Sequence, residues 1–139
     1  MPRIKLDLPK HFHFTTEIPI RISDINYGGH LGNDSVLSIL HDARLRFLME
    51  HGYSEFNVEG VSLIMSDSIV LYKSQAFFGE SLRIQIAVQD FSKFGFDIYY
   101  LVRERESGRE VVQAKTGMAF FNYEERKLSP VPEKFKKKF

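Results

Sequence analysis

One stretch of the chain carries helical periodicity, and it is apolar over more of its circumference than a surface helix can be. From about Val36 to His51, the residues Val36, Ile39, Leu40, Ala43 and Phe47 recur at helical spacing, while Leu37, Leu45, Leu48 and Met49 widen the apolar surface beyond a single stripe. Such a helix has to be hidden on most sides, and Gly52 stands where a left-handed residue would end it. The rest of the chain supplies the cover. Ile18, Ile20 and Ile22 alternate with polar residues across Thr16 to Asp24, the two-residue period of a half-buried strand, with Pro19 marking an edge or bulge. After Val61 the same period returns four times. Leu63, Met65, Ile69 and Leu71 mark a long strand with a bend at Ser66-Asp67-Ser68, and Leu82 to Val88, Phe96 to Val102 and Val112 to Phe120 mark three more. The turns between them are short, which predicts an antiparallel meander. One strand, one buried helix and four strands make an α+β domain in which a curved antiparallel sheet wraps a central helix and leaves an edge for a partner to manage.

The 139 residues suffice for one domain, with a core over about 15–132 and a basic tail, 133–139, that reads as frayed and solvated. Nineteen basic and eighteen acidic residues give a net charge of +1, which argues against a nucleic-acid partner. The absence of Cys rules out a disulfide framework, a thiolate metal site and a Cys nucleophile together. No apolar run approaches the roughly 20 residues of a membrane span. Met1 to Lys5 lacks the apolar centre of a secretory signal, so the expectation is a soluble, cytoplasmic chain.

Chemistry concentrates at the entrance to the helix. Asp24 and Asn26 lie two apart, so on a continuing strand their side chains point the same way. His30 follows Gly28-Gly29, and Asn33-Asp34-Ser35 offers N-cap residue types and an acid for the first helical turn. The unpaired amides of a helix start can stabilise an oxyanion, and His exchanges protons near neutral pH. A base, a hydrogen-bond donor and an oxyanion hole would thus meet in one loop. The plainer alternative is a tight glycine turn in which Asp24 binds local amides and His30 is a surface residue.

The run Ser23-Asp24-Ile25-Asn26-Tyr27-Gly28-Gly29-His30-Leu31-Gly32-Asn33-Asp34 before a long helix resembles the signature of hot-dog-fold thioesterases. The resemblance is to acyl-CoA thioesterases of the 4-hydroxybenzoyl-CoA type and to plant acyl-ACP thioesterases. Ile69 to Glu80 resembles the family's long strand and the turn that follows it. The resemblance covers residues 15–132 or so and implies a hot-dog fold. It also implies hydrolysis of an acyl-CoA or acyl-carrier-protein thioester without metal or organic cofactor, in a homodimer or homotetramer. Carried over, Asp24 takes the first acidic position, His30 the histidine and Asn33 the second of two asparagines. Gly29, Leu31, Gly32 and Asn33 would supply oxyanion and substrate contacts, with Gln75 where the plant enzymes carry an acid. The family's catalytic Asp corresponds to Asn26, which can hold water or substrate but cannot take a proton. Two readings follow: hydrolysis rebuilt around Asp24 and His30, or a non-hydrolytic acyl-thioester binding protein. The dehydratases of the same fold are disfavoured, since their arrangement of His and acid is not visible.

Other residues carry weaker signals. His11 and His13 share a strand face without an evident third metal ligand, and read more simply as part of a flexible polar arm. His41-Asp42 lies within the helix, where adjacent side chains diverge. Lys73, Lys93 and Arg103 could meet CoA phosphates but fit a solvated strand face better, and most of the Phe and Tyr residues fill the core.

Overall fold

Ile18 and Ile20 turn inward as their alternation requires, but Ile22 does not: it is 72% exposed. In the computed structural model, which describes residues 3–139, strand β1 (Phe14–Pro19) stops at its proline and Ile22–Asp24 form one turn of 3-10 helix. The turn closes because the Asp24 carboxylate accepts the Arg21 backbone N–H at 2.9 Å, so the period-two pattern ends three residues early. The long helix α1 (Asn33–Glu50) follows. It ends as the sequence suggests: Gly52 has φ +75°, its N–H donates to Met49, and the Tyr53 N–H donates to Leu48.

Strands β2 (Ser62–Tyr72), β3 (Ser81–Gln89), β4 (Gly95–Glu104) and β5 (Glu110–Asn122) join β1 in a single antiparallel sheet ordered β1-β3-β4-β5-β2. A two-residue strand β6 (Lys127–Leu128) also pairs with β5. The expected meander therefore holds for β3, β4 and β5 only. The connection from Lys73 to Glu80 is too long for a tight turn; it carries the chain across the sheet, and β2 pairs with β5 instead of β3. The bend expected at Ser66-Asp67-Ser68 is a bulge inside a continuous strand. Ser66 Oγ donates to the Gly117 carbonyl and Asp67 Oδ1 accepts the Gly117 N–H, so side chains replace the missing ladder bonds.

The sheet covers one side of α1. Val36, Ile39, Leu40, Ala43, Phe47 and Leu48 are buried, whereas Leu37 (41% exposed) and Met49 (72%) face outward, so the helix is not enclosed all round within one protomer. A charged group also enters the core: Arg44 donates to Tyr100 Oη and to Glu55, and His41 also contacts Glu55. Burial alone would raise the Glu55 carboxyl, but the His41 hydrogen bond and the Arg44 charge outweigh it and hold it below its ordinary range. On the opposite face, Ala87, Tyr99 and Leu101 are buried as well. The N-terminal segment lies on this side. Arg3 and Ile4 reach a hollow beside Val70 to Lys73, and Asp7 adds to the burial and the Asp90 hydrogen bond that raise the Tyr99 phenol.

The basic tail is not frayed. Residues Glu133–Lys138 form a short helix, α2, with Phe135 fully buried. Its ring lies 4.9 Å from Phe96, 5.5 Å from Phe120 and 5.1 Å from Phe139, centroid to centroid. Phe135 and Phe139 are four apart and share one helix face, a pattern that outweighs the four lysines around it. This aromatic cluster closes the fold at the C-terminal end of α1, where Phe139 also contacts Phe47 and His51. Among the described residues, no helix is long and apolar enough to cross a membrane.

Two histidines flank the Phe139 ring, His13 and His51, each 5.1 Å away. His13 is anchored in place, because its Nδ1 accepts the Val88 N–H at 3.0 Å and must be unprotonated to do so. Burial lowers the pKa of His13; burial and then the Lys138 charge lower that of His51, with the Glu50 carboxylate opposing. The unfolded chain therefore takes up these protons first, and stability present above about pH 6.5 is lost as pH falls through the lowered values. Urea unfolding midpoints are expected to fall from pH 7 to pH 5, with a shallower slope in His13→Gln. An unchanged slope in that variant would remove His13 from the account.

Candidate active site

The loop from Asp24 to Gly32 is held almost entirely by its own polar groups. Asn26 Oδ1 accepts the N–H of Gly28 at 2.9 Å and of His30 at 3.4 Å, and its carbonyl accepts the Gly29 N–H at 3.0 Å. Gly29 sits at φ +83°, a conformation that disfavours any side chain. The Gly32 N–H donates to the Asp24 carbonyl and the Leu31 N–H to the Ala76 carbonyl at 2.7 Å, which stitches the loop to the segment after β2. Asp24 is buried, and its carboxylate is turned to the Arg21 backbone and guanidinium.

Against this loop lies a cleft of about 270 Å³, walled by Leu31, Val36, Ala76, Val111 and Val112, with His30, Asn33, Tyr72, Lys73, Ser74 and Gln75 as its polar groups. Of the residues singled out from sequence, His30, Leu31, Asn33 and Gln75 line it together. Asp24, Asn26, Gly29 and Gly32 do not line it and shape the loop instead. The back wall was not legible. Val111 and Val112 are adjacent on β5, and nothing in their pattern separates a cleft residue from a core one.

His30 is the group with chemistry to offer. Its Nδ1 lies 3.1 Å from the Leu31 carbonyl, which can only accept, so the proton is on Nδ1 and the neutral ring keeps its lone pair on Nε2. Gly28 leaves that nitrogen approachable. A Cβ placed there would lie 3.5 Å from His30 Nε2 and 3.3 Å from Asn26 Oδ1, so a small group beside Gly28 touches both. The Leu31 and Gly32 amides are already used, which leaves the N–H groups of Asn33 and Asp34, in the open first turn of α1, as the donors for developing negative charge. Ser74 Oγ donates to the Glu110 carbonyl at 2.6 Å and is a structural tie. Arg109 fixes the facing segment through the Gln75 carbonyl and Glu80. Among the described residues, no group of three His, Cys, Asp or Glu could hold a metal ion.

The architecture is that of solved thioesterases. A 1,4-dihydroxy-2-naphthoyl-CoA thioesterase from Synechocystis superposes with a TM-score of 0.80 at 22% identity, over 88% of this chain and 92% of that one. A DHNA-CoA thioesterase from Staphylococcus aureus gives 0.77 at 21%, over 88% and 83%. Another Staphylococcus aureus protein, solved in complex with CoA, gives 0.80 at 19%, over 96% and 84%. No curated protein matches the sequence. The antiparallel sheet around one long helix is thus a hot-dog fold, and the model of the thioesterase-like superfamily matches residues 20–139, so the chain belongs to that superfamily.

Proposed function

We propose that the protein hydrolyses an acyl-CoA thioester to free CoA and a carboxylic acid. The observation that carries this is His30, held with its lone pair on Nε2 beside an apolar cleft at the start of α1. Water held at His30 Nε2, on the side that Gly28 leaves open, gives its proton to His30 as its oxygen bonds to the thioester carbonyl carbon. The carbonyl oxygen becomes an oxyanion facing the Asn33 and Asp34 amides. Collapse re-forms the carbonyl, breaks the C–S bond, and the imidazolium returns its proton to the leaving thiolate. Asn26 aims His30 through the loop amides that its side chain accepts, and Asp24 acts at one remove by holding the loop at Arg21. Purified protein is expected to release free thiol from at least one acyl-CoA. A folded protein that releases none from aromatic, short-chain or long-chain substrates would overturn the reading.

A second reading has its own support. The Asn26 side-chain oxygen already accepts loop amides, and a site with that oxygen committed suits acyl-thioester binding without turnover, whether CoA or a carrier protein presents the acyl group. Tight binding of a non-hydrolysable CoA thioether by a protein that hydrolyses nothing would favour it.

The protein works as a homo-oligomer in this proposal. Strand β2, 11 residues long, is an edge of the sheet whose Leu63 N–H is taken by the Glu55 carbonyl and which carries exposed Met65 and Tyr72. Helix α1 leaves Leu37 and Met49 uncovered on the side the sheet does not reach. Light scattering is expected to give at least twice the 16.2 kDa of one chain; a monomer at micromolar concentration would refute it.

A further inference from the structure

We propose that Leu31, Val36 and Val112 form the floor of the acyl seat and restrict the protein to short acyl chains or a single aromatic ring, an inference that rests on the thioesterase reading of this cleft. Beside the cleft lies a second, much smaller space of about 10 Å³, bounded by Leu31, Val36 and Val112 together with Ile39, Leu40, Leu82 and Val102. The first three residues border both spaces, so the partition is one side chain thick. The space behind it is wholly apolar and at the lower limit for a single water, with no polar group to hold one.

The partition is rigid for separable reasons. Leu31 is fixed by the hydrogen bond its N–H donates to the Ala76 carbonyl. Val36 sits in the first turns of α1 and is 4% exposed; Val112 is 2% exposed on β5, paired with Tyr72 of β2 and Val102 of β4. Both valines are β-branched, with little rotamer freedom to swing aside. The cleft of about 270 Å³ falls below the roughly 300–1,000 Å³ of pockets that bury drug-sized ligands, which suits a short acyl chain or a single ring. A methylene beyond the floor has nowhere to go, and pockets of this kind discriminate by about 10- to 200-fold per methylene.

The test uses the full chain and a series of acetyl-, butanoyl-, hexanoyl-, octanoyl-, dodecanoyl- and benzoyl-CoA, with kcat/KM from thiol release. Affinities for the matching S-alkyl-CoA thioethers are measured in parallel. The wild type is expected to favour hexanoyl-CoA and shorter chains, or benzoyl-CoA. Val36→Ala removes the partition at one point and joins the two spaces, so the preference for octanoyl over butanoyl should rise about tenfold or more. Ala76→Val narrows the cleft from the facing wall without leaving a core cavity, and should move the optimum to shorter chains. Efficient turnover of dodecanoyl-CoA by the wild type, or an optimum unmoved in both variants, would overturn the floor and leave the hydrolytic reading intact. Should no acyl-CoA be turned over, that reading falls, and the thioether affinities decide: the same order of lengths supports the floor, and affinities independent of length overturn it.

Discussion

Replacing His30 with alanine is expected to lower thioester turnover by about 10²- to 10⁴-fold, the scale of a lost general base, in a protein that still folds. The imidazole is half-buried at the rim of the cleft, and the loop around it is held by main-chain and Asn26 bonds that its removal leaves in place. The fall should lie in kcat, since the apolar walls proposed to seat the acyl group are untouched. Two companion variants separate the roles. Asn26→Asp keeps an acceptor oxygen for the Gly28 and His30 amides and adds a charge beside the ring. Little change in rate would mean that His30 already suffices, whereas hydrolysis appearing where the wild type had none would identify a binding protein. Asp24→Asn should act through the loop, with its effect seen first in stability. Activity that survives His30→Ala would sink the mechanism.

The second large effect is on folding. Phe135→Ala is expected to cost about 3–5 kcal/mol, the usual range for deleting a fully buried phenylalanine. The ring is completely buried and meets Phe91, Phe96, Phe120, Phe139 and Tyr53. It has no polar atom that water could compensate and no neighbour small enough to close the gap. Thermal melting should drop by about 10 °C or more, and Phe135→Leu should recover part of the loss. A change below about 1 kcal/mol, as for a surface position, would show that α2 is an appendage and not a piece of the core.

Much of the fold was open to reading because alternation and helical spacing report directly on burial. What misled was local chemistry with a longer reach than the pattern around it. Ile22 kept the strand's period while Asp24 closed a 3-10 turn on Arg21. In the tail, Phe135 and Phe139 were outnumbered by lysines whose charges stay at the surface while the rings go in. The site divides along the same line. The loop from Asp24 to Asn33 was recognisable because its glycines, amides and histidine follow one another in the chain. The cleft's far wall was hidden because Ala76, Val111 and Val112 meet that loop only after β2 crosses to pair with β5. Asp24 was open to two readings, a member of the reacting pair with His30 or a ligand of local amides. Its carboxylate takes the Arg21 N–H three residues back, and no spacing rule tells those two uses apart.

The tie between the Leu31 amide and the Ala76 carbonyl has a consequence for how such a protein can change over time. The two rims of the cleft are joined by main-chain atoms, which no substitution short of proline at Leu31 can delete. Side chains facing the interior can then be exchanged without loosening the frame that aims His30. On the proposed hydrolytic reading, descendants of this chain can drift towards new acyl groups through Val36, Ala76 and Val112 while the reacting atoms stay where they are. Selection on substrate and selection on chemistry act on different residues, and a family built in this way can diversify its substrates faster than its reaction.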